Sequence, residues 1–196
     1  MASDTQNCLQ FEGNQKEINR LLRAIQGTDP DLQPIDFTKI IPMPTELEID
    51  AGSQTEAGLD AFREFVRTTG GNKQHEKEYL SRHGDIDREA WKLGKQAFQN
   101  IQRYGHPTWF EWCAEHWNTS ANALDGSVEE NQLTFLSAEK SPEPIIQKIS
   151  QMFPSVTIHY AWAGASLEDD CGARTYQNGA VIQENIHAGQ EAVELA

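Results

Sequence analysis

Cysteine is scarce in this chain. Cys8, Cys113 and Cys171 are the only three in 196 residues, they form no Cys-x-x-Cys pair, and their odd number leaves one thiol over whatever the pairing. That argues against a disulfide framework or a paired zinc motif and points to reduced thiols in a cytosolic compartment. Basic residues are few as well: 16 Lys and Arg stand against 30 Asp and Glu, a formal net charge of −14. Sequence-independent binding to nucleic acid draws its affinity from cations that displace counterions from phosphate, so the balance argues against that class, and the same field repels anionic membranes. No apolar run approaches the roughly 18 residues of a membrane span. The first residues carry neither a basic segment nor an apolar core, so no secretory signal is read there. P-loop and EF-hand spacings are missing too. The expectation is a soluble, cytoplasmic protein.

What the chain does have is mass for a core. It is 38% hydrophobic, with five Trp and eight Phe, enough for one domain with an elaboration. The acid is unevenly spread. Residues 1–50 carry nine acidic and four basic side chains, 101–150 seven and three, and 151–196 six and one, whereas 51–100 carry eight of each. A neutral stretch between acidic ones marks an inserted element.

Asn7 to Gly13 alternates apolar and polar residues, as a half-buried strand does. Asn14 can cap a following helix whose Ile18, Leu21, Leu22 and Ile25 share a face, with Gly27 ending it. Residues 28–55, with Pro42 and Pro44 either side of Met43, read as an ordered loop pinned by Phe37, Ile40 and Ile41. From 56 to 104 the pattern is helical and charged. A polar connection runs from Thr68 to His75, and Asp85 is the expected cap of the second helix. Pro107 opens a helix to Trp117. Asn118 to Leu124 reads as a strand, Asp125-Gly126 as a turn, and Gln132 to Ser137 as the returning strand. Pro142-Glu143-Pro144 starts a helix that Pro154 stops; Thr157 to Ala163 is a strand, with Cys171 to Tyr176 as its edge. The acidic tail 180–196 is expected to fray.

Without the insertion 56–104 the order is βαββαβ. The predicted fold class is α+β, a single ferredoxin-like split βαβ domain: an antiparallel sheet with helices on one face, a helical insertion after the first helix and an extra edge strand.

Several of these stretches carry a resemblance. They are Asn7-x-Leu9-x-Phe11-x-Gly13, Asp36-Phe37-x-x-Ile40-Ile41-Pro42-Met43-Pro44, Tyr104 through Ala123, Phe135 with Ser141-Pro142-x-Pro144, Phe153-Pro154, and Cys171-Gly172-x-x-x-Tyr176-x-Asn178-Gly179. In this order they resemble the YubB ferredoxin-like family of small phage- and plasmid-borne proteins. The resemblance implies a ferredoxin-like fold and a mobile-element origin; it implies no iron–sulfur cluster and brings no established chemistry. The chain departs from the family pattern after Trp117, where Asn118, Ser120 and Ala121 replace a Gly, a Lys and a second Trp. It departs again at Ser137-Ala138-Glu139-Lys140, which precedes Ser141-Pro142 where the family has Thr-Ala-Trp.

Candidate sites are few. Trp109, Trp112, Cys113 and His116 share one helical face and define an alternative pocket for an enzyme, a small ligand or a metal. Cys113 and His116 would be two zinc ligands with Cys171 or His159, or a nucleophile and its base with Glu115 nearby. No second ligand pair shows zinc spacing, and an acidic, aromatic setting disfavours a thiolate. Glu168-Asp169-Asp170 reads as a solvated turn rather than a Mg²⁺ or Ca²⁺ site, because hard cations want oxygens converging from several directions. The aromatic cluster Trp109, Phe110, Trp112 and Trp117 lacks the basic neighbours that binding single-stranded nucleic acid requires.

No residue set assembles an active site. The functional expectation is therefore a non-enzymatic accessory protein of a mobile element, without cofactor or metal. It would bind and inhibit a basic, nucleic-acid-binding host defence protein such as a CRISPR or restriction nuclease. Glu129, Glu130, Glu139, Glu143, Glu168, Asp169 and Asp170 would present the carboxylates; no direct contact with nucleic acid or membrane is expected.

Overall fold

The computed structural model describes residues 4–29, 33–84, 86–164 and 171–185. In chain order its elements are β1 (Asp4–Glu12), α1 (Gln15–Ile25), α2 (Phe37–Ile40), a 3-10 turn (Thr45–Leu47), α3 (Ser53–Thr69), α4 (Lys73–Arg82), α5 (Arg88–Tyr104), α6 (Trp109–His116), β2 (Leu124–Glu129), β3 (Gln132–Ala138), α7 (Glu143–Met152), β4 (Thr157–Ala163), β5 (Cys171–Gln177) and β6 (Ala180–Asn185). They fall into two compact units, Met1–Pro42 with Cys113–Ala196, and Met43–Trp112.

The first unit holds one six-stranded sheet in the order β2-β3-β1-β4-β5-β6, antiparallel throughout. Strands β1 to β4 alone give the ferredoxin-like order, with β1 central: Asn7 lies opposite Phe135 on one side and Trp162 on the other. Period-two alternation sends Leu9, Phe11, Leu133, Phe135, Ile158, Tyr160 and Trp162 to one face, where all are buried. The apolar sides of α1 (Ile18, Leu21, Ile25) and α7 (Ile145, Ile146, Ile149) complete that core. Asn14 caps α1, its side chain accepting the Lys16 N–H at 2.9 Å. Pro142 occupies the N-cap position of α7 without a side-chain capping bond, and the helix ends just before Pro154.

Buried polar groups fix the register of the central strand. Asn7, fully buried, donates from Nδ2 to the Ser137 hydroxyl at 2.8 Å and to the Thr5 carbonyl at 2.9 Å, and its Oδ1 accepts from the Tyr160 hydroxyl at 2.7 Å. A slip by one residue would strand every member of this network.

Several local expectations are corrected. Asp125-Gly126 is no hairpin turn: it lies within β2, where the register shifts, and the chain reverses at Glu130-Asn131. Asn118 to Ala123 is not a strand, because its side chains bind elsewhere. Asn118 donates to the Ser141 carbonyl, Thr119 to the Ala138 carbonyl, and Asn122 Oδ1 accepts the Phe37 N–H at the start of α2. Cys171–Gln177 is not the edge, since β6 pairs outside it over residues 180–185. The loop before residue 56 contains α2 and the 3-10 turn, and the polar connection after Thr68 is short: Gly70 and Gly71 at φ 68° and 72° reverse the chain and Asn72 caps α4 at once. The expected cap Asp85 lies outside the described residues, and Asp87 caps α5. Of the tail expected to fray, residues 180–185 instead form the paired strand β6, and those beyond 185 lie outside the described residues.

The second unit encloses the charged stretch read as an insertion and has its own core. Phe62, Phe65 and Trp91 are buried there against Val66, Tyr79, Leu80, Ile86 and Phe98. The backbones of α3 and α5 touch at Gly58 and Gly94. Trp91 is tied down by its indole N–H, which donates to Glu76 at 2.8 Å, with Lys95 3.4 Å from the same carboxylate.

Candidate functional site

The face of the sheet opposite the helix-side core is open. Register places two rows of side chains across it. Thr134, Cys8, Ala161, Ala173 and Asn185 sit side by side on β3, β1, β4, β5 and β6; next to them run Gln132, Gln10, His159, Thr175 and Gln183. The first row is short in its middle and the second long, so together they shape a trough of about 520 Å³ perpendicular to the strands. A volume of this size falls within the range of ligand sites.

The floor of the trough is largely apolar, formed by Cys8, Ala161 and Ala173, and uncharged polar side chains surround it. Gln132 Nε2 lies 3.0 Å from Cys8 Sγ. The His159 ring bridges two strands, with Nδ1 3.2 Å from the Thr175 hydroxyl and Nε2 3.0 Å from Glu12. Asp4, Glu12 and Glu129 share this face by alternation. Arg174 is the sole Lys or Arg in the six strands, and it faces the other way, ion-paired with Glu143 and Glu184 and stacked 5.4 Å from the Trp162 ring. The strand aromatics Phe11, Phe135, Tyr160, Trp162 and Tyr176 are likewise on the helix side and buried.

The residues predicted from sequence are not brought together. Glu129 and Glu130 sit at the β2–β3 reversal, Glu139 follows the far end of β3, and Glu143 opens α7 in its ion pair with Arg174. Glu168, Asp169 and Asp170 lie outside the described residues. In α6, Trp112 and Cys113 are buried and His116 half-buried; Trp109 and Trp112 belong to the helical unit, Cys113 and His116 to the sheet unit. Burial pushes the Cys113 thiol up to about 11, which favours its protonated form at neutral pH. The two stretches that depart from the YubB pattern do meet, through the bonds from Asn118 and Thr119 to Ser141 and Ala138.

Sequence reasoning singled out one residue of the trough, His159, and for a different role, as a candidate zinc ligand beside Cys113 and His116; the structure places it on β4 between Thr175 and Glu12. Gln10, Gln132, Thr175, Gln183 and Asn185 carry no motif, and their one signal is an uncharged polar residue at the outward position of successive strands.

No curated protein matches the chain. The crystal structure of a protein api92 from Yersinia pseudotuberculosis aligns with 95% of this chain and 98% of its own, at 11% identity and a TM-score of 0.43. Residues 114–195 match the family model described as the ferredoxin-like domain in Api92-like protein, and the fold of the sheet unit is of that type.

Proposed function

We propose that this chain is a non-enzymatic binding protein that takes a basic protein partner on the open face of its sheet. One observation carries the reading: the strands present Asp4, Glu12 and Glu129 on that face and no Lys or Arg among the described residues. The sheet unit also holds most of the charge, with 18 acidic and 7 basic residues by sequence. An acidic field of this kind speeds the encounter with a cationic partner and turns away polyanions. The strands present no Phe, Tyr or Trp on this face, and its one imidazole, His159, is held between Thr175 and Glu12, a poor platform for stacking bases. The resemblance to the phage- and plasmid-borne YubB family supports a finer reading, in which the partner is a host defence nuclease whose phosphate-binding groove is basic.

The test is affinity capture from host lysate with the native chain and a Glu12→Lys/Glu129→Lys variant. The reading expects a basic protein retained at low salt by the native chain alone. It should be released at about 1 M salt, where the screening length falls to about 3 Å. A partner held equally by both proteins, or held through high salt, overturns it.

A further inference from the structure

We propose that the trough holds an extended segment of that partner, laid across the strands with its backbone amides paired to the side-chain amides of Gln10, Gln132, Gln183 and Asn185. The inference rests on the basic-partner reading above and names what the site recognises.

Shape comes first. The trough crosses five strands, β3 to β6 through β1 and β4, and neighbouring strands lie about 4.8 Å apart, so its length is about 19 Å. An extended chain rises about 3.3 Å per residue, which makes room for about six residues. Ala161 and Ala173, directly paired at the centre, keep the floor low enough for a backbone to approach. A folded surface would meet the ridge of Gln10 and His159 and leave the floor empty.

Chemistry then selects among elongated ligands. A primary amide carries a donor and an acceptor side by side, the same pair a peptide unit presents, so a row of Gln and Asn side chains matches a polypeptide backbone group for group. A phosphodiester chain would need cations here, and the described strands offer none on this face. An oligosaccharide or a single-stranded base run would want an aromatic platform; the strands' Phe, Tyr and Trp side chains are on the other side, and His159 is held between Thr175 and Glu12. Charge finishes the selection: Glu12 and Glu129 flank the long row, placed to receive Lys or Arg side chains from a bound segment.

Selection of linear dodecapeptides displayed at random against the native full chain tests this. Two variants serve as counter-targets, each checked for native circular dichroism: Ala161→Trp, which fills the floor, and Gln183→Lys, which places a cation on the exposed outer strand. The expected result is enrichment of basic peptides whose affinity drops about tenfold or more on each variant that keeps its fold. Basic peptides that bind the variants as well as the native chain overturn the trough and leave the basic-partner reading standing. Enrichment of acidic or uncharged peptides, or no enrichment at all, overturns both.

Discussion

Gly58 on α3 and Gly94 on α5 meet backbone to backbone. A Cβ on Gly58 would fall 1.7 Å from the Ala90 carbonyl oxygen, and one on Gly94 1.9 Å from the Gly58 carbonyl carbon. Atoms cannot approach so closely, so any larger residue must push the two helices apart. Overpacking of this kind costs about 1–3 kcal/mol and sometimes more. Gly58→Ala and Gly94→Ala are each expected to lower the melting temperature of the helical unit, read by Trp91 fluorescence. The double substitution should cost less than the sum, because one displacement relieves both contacts.

Asn7 anchors the central strand through Ser137 and Tyr160. Replacing it with Leu leaves both hydroxyls buried without that partner, at an expected cost of about 2–4 kcal/mol in a denaturant titration. Tyr160→Phe removes a single donor and should cost about 1–2 kcal/mol. A double-mutant cycle between the two positions is expected to show coupling, and strict additivity would contradict the network.

Burial raises the Cys113 thiol to about 11. A group whose folded value lies above its unfolded one stabilises the fold below the unfolded value, and that contribution is lost as the pH climbs through the folded value. Stability is therefore expected to fall as the pH rises from about 8.5 toward 11. Alkylation of the native protein at neutral pH should modify the less buried Cys171 well before Cys113. Equal rates at the two positions would refute this.

Glu76 titrates below the ordinary glutamate value. The hydrogen bond from the Trp91 indole is the largest cause; burial works against it, and Lys95 adds to the lowering. A depressed carboxyl contributes stability above its unfolded value and gives it up as the pH drops through the folded one, so acidification below about pH 4.3 should weaken the helical unit. Glu76→Gln keeps an acceptor for Trp91 and should flatten this dependence. Glu76→Ala leaves the indole N–H unsatisfied and should cost about 1–3 kcal/mol at neutral pH. Thermal melts across pH distinguish the three proteins.

The scaffold was legible in the sequence wherever one face of an element is buried. β1, α1, β3, α7 and β4 each show an apolar period and a recognisable cap or stop, so their order and the ferredoxin-like topology followed. β6 was missed because Ala180–Asn185 is exposed along its whole length and therefore has no alternation to read. Asp125-Gly126 misled because a turn-forming pair can equally sit in a bulge. The trough was invisible for a different reason: residues 10, 132, 159, 175 and 183 become neighbours only through a register set by long-range pairing.

That pairing has a temporal side. β1 is the strand between β3 and β4, yet Asn7 and its partner Phe135 are 128 residues apart in the chain. At the usual pace of translation the first strand waits on the order of ten seconds for its first neighbour to be made. The helices α3 to α5 are all synthesised within that interval, and their contacts are local enough to form early. On the ribosome, then, Leu9 and Phe11 are apolar side chains without a sheet. During synthesis it is this short segment, and not the long charged one, that most needs shielding from aggregation.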